Sequence, residues 1–152
     1  MPRTGSFRYR VHARCEPADA LRLLGDVRRQ GELHPFVVRV RPRPAGPGAL
    51  RSDLVTDRLR WGPLRFRTTY RADLLRLAAD ELELVARQWP RTTLHNRTRV
   101  TGEPDGLLRV DVEITLSAPA PLFRYAFRQA RAAHLELANR LPAALAAAGQ
   151  QP

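Results

Sequence analysis

One histidine interrupts an otherwise apolar helical stripe. In RYAFRQARAAHLELANRL, residues 124–141, apolar side chains recur at helical spacing. At about 100° per residue, His134 projects between Phe123 and Phe127 and shares their side with Ala130, Leu137 and Leu141. An imidazole there is either a core histidine satisfied by its neighbours or a group that meets a ligand or moves a proton. A second set of polar residues surrounds Gly62-Pro63. Two β-patterned runs, VTDRLRW and LRFRTTY, flank that dipeptide, and glycine followed by proline suits a type II′ hairpin turn. A two-residue turn sets Trp61 opposite Leu64, Leu59 opposite Phe66, Asp57 opposite Thr68 and Val55 opposite Tyr70. Paired residues share a face, so Asp57, Thr68 and Tyr70 point inward with Trp61, Leu59 and Phe66.

The following strands extend that face. In ELELVARQ, the alternation of Leu82, Leu84 and Ala86 brings Gln88 inward; in TTLHNRTRV, Leu94 and Val100 bring in Asn96 and Thr98. A solid core rarely holds so many polar groups unless they satisfy one another. Apolar walls with a few convergent polar groups describe a small-molecule pocket instead. The expected ligand-facing set is therefore Tyr70, Thr68, Phe66, Asn96, Gln88, Trp61, Phe123, Phe127 and Ala130, with His34 at the mouth. For chemistry the candidates are His134 as proton shuttle, Asp57 as its orienting or charge-balancing partner, and Tyr70 or Asn96 holding a carbonyl oxygen. The plainer account makes Asp57 a buried acceptor for Thr68 and a nearby arginine. His12 and His95 should point outward.

The elements that carry these residues follow from periodicity. FRYRVHARC alternates as a half-buried strand with Phe7, Tyr9, Val11 and Ala13 inward. Glu16-Pro17 opens a helical region, read as two short helices interrupted at Gly25 and Gly31 and ended before Pro35. PFVVRVRP is a second strand, and the Pro/Gly-rich stretch Arg41–Ala49 a loop. Five more strands follow, three between Leu50 and Gln88 and two between Thr92 and Ser117, joined by short turns. A long helix starts near Pro121; Pro142 should break or kink it, leaving an alanine-rich tail. Short connections imply an antiparallel meander, and only the long helix can cover its apolar face. The expected class is α+β: a curved seven-stranded antiparallel sheet around a C-terminal helix, as one domain over residues 1–152. On the outer face, Arg8, Arg10 and Arg14 of the first strand should lie beside Asp111 and Glu113 of the last, and Arg67 and Arg71 should face Glu81 and Glu83.

With HPFVVRV, VTDRLRWGPL and ARAAHLELANRL in that order of elements, the chain resembles the SRPBCC (START and plant-allergen-like, helix-grip) superfamily, in its polyketide cyclase/dehydrase-like bacterial branch. The resemblance implies a hydrophobic cavity between sheet and helix for lipids, polyketides or other apolar molecules. RPAGPGA stands where plant members carry a glycine-rich loop, so no phosphate-binding role is carried over.

Composition narrows the rest. The net charge is +11, yet all the basic side chains are arginines distributed along the whole chain. That distribution and the lack of an exposed aromatic platform argue against nucleic acid. A single cysteine, Cys15, allows no internal disulfide and no zinc cluster, so neither metal nor cofactor is expected. The N-terminal residues lack the apolar stretch of a secretory signal, which points to the cytoplasm. Three functions remain: binding or carrying a small apolar or amphipathic molecule; cyclase/dehydratase-like catalysis through His134 and Asp57; and docking of the basic surface, at Arg39, Arg41 and Arg43, to an anionic membrane or acidic partner.

Overall fold

A computed structural model describes residues 1–150; Gln151 and Pro152, at the end of the expected domain, lie outside the described residues. The elements run β1 (Pro2–Ala13), α1 (Pro17–Leu24), α2 (Val27–Leu33), β2 (Val37–Arg43), β3 (Arg51–Trp61), β4 (Leu64–Leu77), β5 (Glu81–Gln88), β6 (Thr92–Gly102), β7 (Leu108–Pro119) and α3 (Ala120–Ala148). The seven strands form one sheet in the order β1-β7-β6-β5-β4-β3-β2, and every neighbouring pair is antiparallel. The two edge strands are therefore the ones separated in sequence by α1 and α2. Among the described residues no helix is long and apolar enough to cross a membrane.

β7 shows why the sheet needs a cover. Its residues alternate without a break, Leu108, Val110, Val112, Ile114, Leu116 and Ala118 being buried and their neighbours half-buried. One face of the strand is thus an apolar stripe that must meet another apolar surface. The C-terminal half of α3 supplies it with Leu137, Leu141 and Leu145, and α1 closes that end with Leu21, Leu23 and Leu24. At about 25 cal/mol per Å² of buried apolar area, such a stripe is the main stabilising term of the fold. Proline fits this helix without ending it: α3 continues through Pro142 to Ala148. The expected break is absent because Leu141 and Leu145, on either side of the proline, are both fully buried. Their packing outweighs the one hydrogen bond that proline cannot donate. The alanine-rich end is accordingly helix and not a tail.

Two glycines act as close-approach points. Gly31 lies within α2 and does not interrupt it; a Cβ there would come within 3.1 Å of side-chain atoms of both Val37 and Val40, so glycine lets α2 lie on β2. Gly5 of β1 would place a Cβ 2.9 Å from the Phe123 ring and 3.1 Å from that of Phe127. The missing side chain is the slot into which the N-terminal half of α3 sets its aromatic pair. At the β3–β4 turn, Gly62 has φ +61°, the positive value that a type II′ turn requires at its first central residue.

On the outer face Arg8 meets Glu113 and Arg10 meets Asp111, each at 2.6 Å. Arg67 and Arg71 do not meet Glu81 and Glu83. β4 runs on to Leu77, which leaves only a tight turn before β5, so Glu83 faces Arg76 and Arg71 faces Arg87. Glu81 instead pairs with Arg76 and Arg99. The two arginines brought opposite each other share Asp73, at 3.0 Å from each, and Ser52 donates to the same carboxylate at 2.5 Å. Burial pushes Asp73 up, but the bonds from Ser52 and Arg71 and the charges of Arg71 and Arg87 hold its carboxyl below the usual range. Arg39, Arg41 and Arg43 are exposed on β2.

Candidate functional site

Along β1, α3 packs closely at both ends, through Phe123 and Phe127 as well as in the core; across the rest of the sheet the two meet closely at one end. Toward the N-terminal half of α3 they separate around a cavity of about 330 Å³. Its floor is the inner face of β3 to β6, its roof is α3 at Tyr125, Ala126, Gln129, Ala130 and Ala133, and α2 closes one side. Ten of the twelve expected site residues border this single space: His134, Asp57, Tyr70, Thr68, Phe66, Asn96, Gln88, Trp61, Ala130 and His34. Phe123 and Phe127 do not. They stack on each other with ring centroids 5.4 Å apart, and Phe127 meets Phe7 of β1 edge-on at 5.7 Å. The apolar arc of α3 is wider than its cavity-facing part, because one flank of the helix packs on β1.

The β3–β4 hairpin has the register expected from its turn, including Asp57 opposite Thr68 and Val55 opposite Tyr70. Asp57 Oδ1 and Thr68 Oγ1 are buried and make no hydrogen bond among the described residues. The plainer account of Asp57, as an acceptor for Thr68 and an arginine, is thereby removed. Burial pushes the Asp57 carboxyl up to about 6, while the Tyr70 hydroxyl beside it pulls the other way. The same burial, with the Asp57 charge, raises the Tyr70 phenol well above its ordinary value, so it stays neutral.

His134 has a different partner from the one expected. Its Nδ1 lies 3.2 Å from the Tyr9 hydroxyl, and its ring is flanked by Phe7 at 5.9 Å and by His34, edge-on, at 5.9 Å. Asp57 makes no hydrogen bond to it, so the aspartate does not orient the imidazole. Burial first, and then the charge of His34, hold His134 down at about 3. Burial and the Arg140 charge hold His34 at about 4, and its Nδ1 accepts the Phe36 N–H at 3.2 Å. Both imidazoles are therefore neutral near pH 7. Tyr9, its phenol raised by burial, is the residue the sequence reading passed over. Its inward position on the first strand was legible, but its nearness to a residue 125 positions away was not.

The remaining polar groups are partly occupied. Asn96 is buried and its Oδ1 accepts from Thr98 at 2.8 Å. Trp61 stacks on Tyr125 at 4.4 Å and 10°, and the Tyr125 hydroxyl donates to the Arg60 carbonyl at 2.9 Å. This contact ties the roof of the cavity to the hairpin at its mouth. Trp89, also on the rim, is 89% exposed.

The chain adopts the helix-grip fold. It is similar in structure to the di-domain aromatase/cyclase StfQ from the steffimycin biosynthetic pathway, with a TM-score of 0.71 and 17% identity over 95% of this chain; it spans only 51% of the length of StfQ. It superposes on a START superfamily protein from Mycobacterium smegmatis with a TM-score of 0.70 and 9% identity, covering 92% of this chain and 96% of that one. The Zhui aromatase/cyclase from Streptomyces sp. R1128 gives a TM-score of 0.60 and 12% identity, covering 91% and 93% of the two chains. No protein-family model matches the sequence, and no curated protein matches it at the level of sequence.

Proposed function

We propose that this protein is a member of the polyketide cyclase/dehydrase-like branch of the SRPBCC superfamily and binds a small apolar or amphipathic molecule between its sheet and α3. The observation that carries this is the cavity itself. Over β3 to β6 the N-terminal half of α3 stands off the sheet around about 330 Å³, a volume in the range of small-molecule sites. Alanines on α3 at 126, 130 and 133 line it, where larger side chains would have filled it. The test is native mass spectrometry of the protein after incubation with neutral bicyclic aromatic compounds. A one-to-one adduct is expected, and Ala130→Phe, which puts a ring into the space, should abolish it. No adduct, or one indifferent to Ala130→Phe, would count against the reading.

A second reading, catalysis on a carbonyl compound, is favoured by one observation: Asp57, raised to about 6, is poised to exchange a proton near neutral pH. On this reading Asp57 acts with Tyr70, and His134, held by Tyr9, acts alone. Turnover of a polyketide-like substrate that falls at least about a hundredfold in Asp57→Asn with affinity preserved would favour the enzyme. A change in affinity alone favours the carrier.

A further inference from the structure

The cavity carries one charge and no cation. None of the chain's 26 basic residues borders it, although they dominate the surface. Its histidines, His34 and His134, are neutral at ordinary pH. The single charged side chain on its wall is Asp57, and the buried oxygen of that carboxylate lacks a partner, as does the hydroxyl opposite it on Thr68. These two atoms form one polar rung of the β3–β4 ladder. The rungs on the same face to either side are Leu59 with Phe66 and Val55 with Tyr70.

An ionised carboxylate accepts hydrogen bonds and donates none; a threonine hydroxyl does both. What satisfies this rung is a group that donates to Asp57 and can accept from, or donate to, Thr68. A ligand carboxylate would meet Asp57 with like charge, at a buried oxygen and with no arginine to balance it. Leu59, Phe66, Val55 and the ring of Tyr70 on either side offer apolar surface to a hydrocarbon or aromatic body along the hairpin, while the Tyr70 hydroxyl lies beside Asp57 and leaves its buried Oδ1 unpartnered.

Resting on the reading of the cavity as a small-molecule site, we propose that Asp57 and Thr68 select a ligand whose apolar body carries a hydrogen-bond donor, a hydroxyl or an amine, and reject carboxylates of the same shape. Three other polar wall groups are already engaged, whereas the atoms of this rung are buried without a partner. Asn96 already accepts from Thr98, Thr92 donates to the Pro90 carbonyl and Gln30 to that of Leu24.

The experiment is isothermal titration calorimetry on the full chain with three probes sharing one body: 2-naphthalenemethanol, 2-naphthalenemethylamine and 2-naphthoate. The alcohol or the amine should bind at least about tenfold more tightly than the carboxylate, the discrimination expected of one buried charge-assisted hydrogen bond. Asp57→Asn should narrow that ratio to within about threefold, and Thr68→Val should weaken the preferred probe without strengthening the carboxylate. An amine preferred in the wild type and lost in Asp57→Asn identifies an ammonium ligand. An alcohol that keeps its affinity in Asp57→Asn identifies a neutral hydroxyl, since the amide oxygen still accepts. Equal binding of all three probes, or a ranking unchanged by both substitutions, overturns the proposal and leaves the cavity reading standing. Failure of every probe to bind, with no adduct in native mass spectrometry, overturns both.

Discussion

His134 and Asp57 are both ionisable groups taken out of water, and burial moves them in opposite senses on the pH scale. His134 at about 3 and His34 at about 4 lie below the ordinary 6.5. Between pH 6.5 and 4 the unfolded chain binds protons that the folded chain refuses, so stability falls with pH. Asp57 lies at about 6, above its ordinary 3.8. The folded chain takes up a proton there first, so this group favours folding as pH drops from 6 toward 3.8. Asp73 and Asp111, held below their usual range, act only at still lower pH. Burial also raises Asp53, which acts in the sense of Asp57, so with two histidines against these aspartates stability should fall by at most about 1.4 kcal/mol per unit between pH 6 and 4. Asp57→Asn should steepen the slope and His134→Gln should flatten it. Urea melts at pH 7, 5 and 4 check this; a level profile, or one that neither substitution changes, contradicts it. Tyr9→Phe, which removes the hydroxyl from His134, should cost about 1 kcal/mol at neutral pH and shift the His134 ring nitrogens in ¹⁵N spectra. A Tyr9 that only packs would leave those signals in place.

At the scale of elements, α3 divides into a half that fills the core and a half that roofs the cavity, and the two respond differently to substitution. Pro142 sits in the first half. Pro142→Ala restores the missing donor without changing the buried face and should raise the unfolding free energy by about 1–3 kcal/mol, seen as a higher thermal midpoint. Gly5→Val should do the reverse, by about 1–3 kcal/mol, because its side chain must displace Phe123 and Phe127. Much of this architecture was readable from residues alone. Strict alternation in β7 and the Gly-Pro turn of the β3–β4 hairpin gave those strands and their register, and helical spacing put His134 on the buried side of α3. The missed parts depended on distant pairings. That Phe123 and Phe127 leave the cavity follows from their meeting Gly5, which no local pattern displays. That Asp73 sits between Arg71 and Arg87 follows from a register shift in β4 between Leu74 and Arg76, which moves everything beyond it. The same limit hid Tyr9 as the partner of His134.

Considered as one molecule, the protein separates its charge from its cavity. The strands keep most arginines on the outer face, where acidic neighbours on adjacent strands answer several of them, and the cavity wall keeps one carboxylate, Asp57. Exposed pairs of this kind each contribute about 0–1 kcal/mol, so raising salt to 1 M should lower stability only slightly while leaving affinity for a neutral guest unchanged. A large loss of affinity for such a guest in salt would place the binding determinants on the surface instead.

The chain has two tryptophans, and both stand on the rim of the same opening: Trp61 stacked against Tyr125, and Trp89 turned out to solvent. The molecule therefore contains its own optical reporter of occupancy. Trp61 emission should shift and saturate as a non-fluorescent alicyclic alcohol enters, and Trp89→Phe should isolate that signal without removing it. Ala130→Phe should silence it.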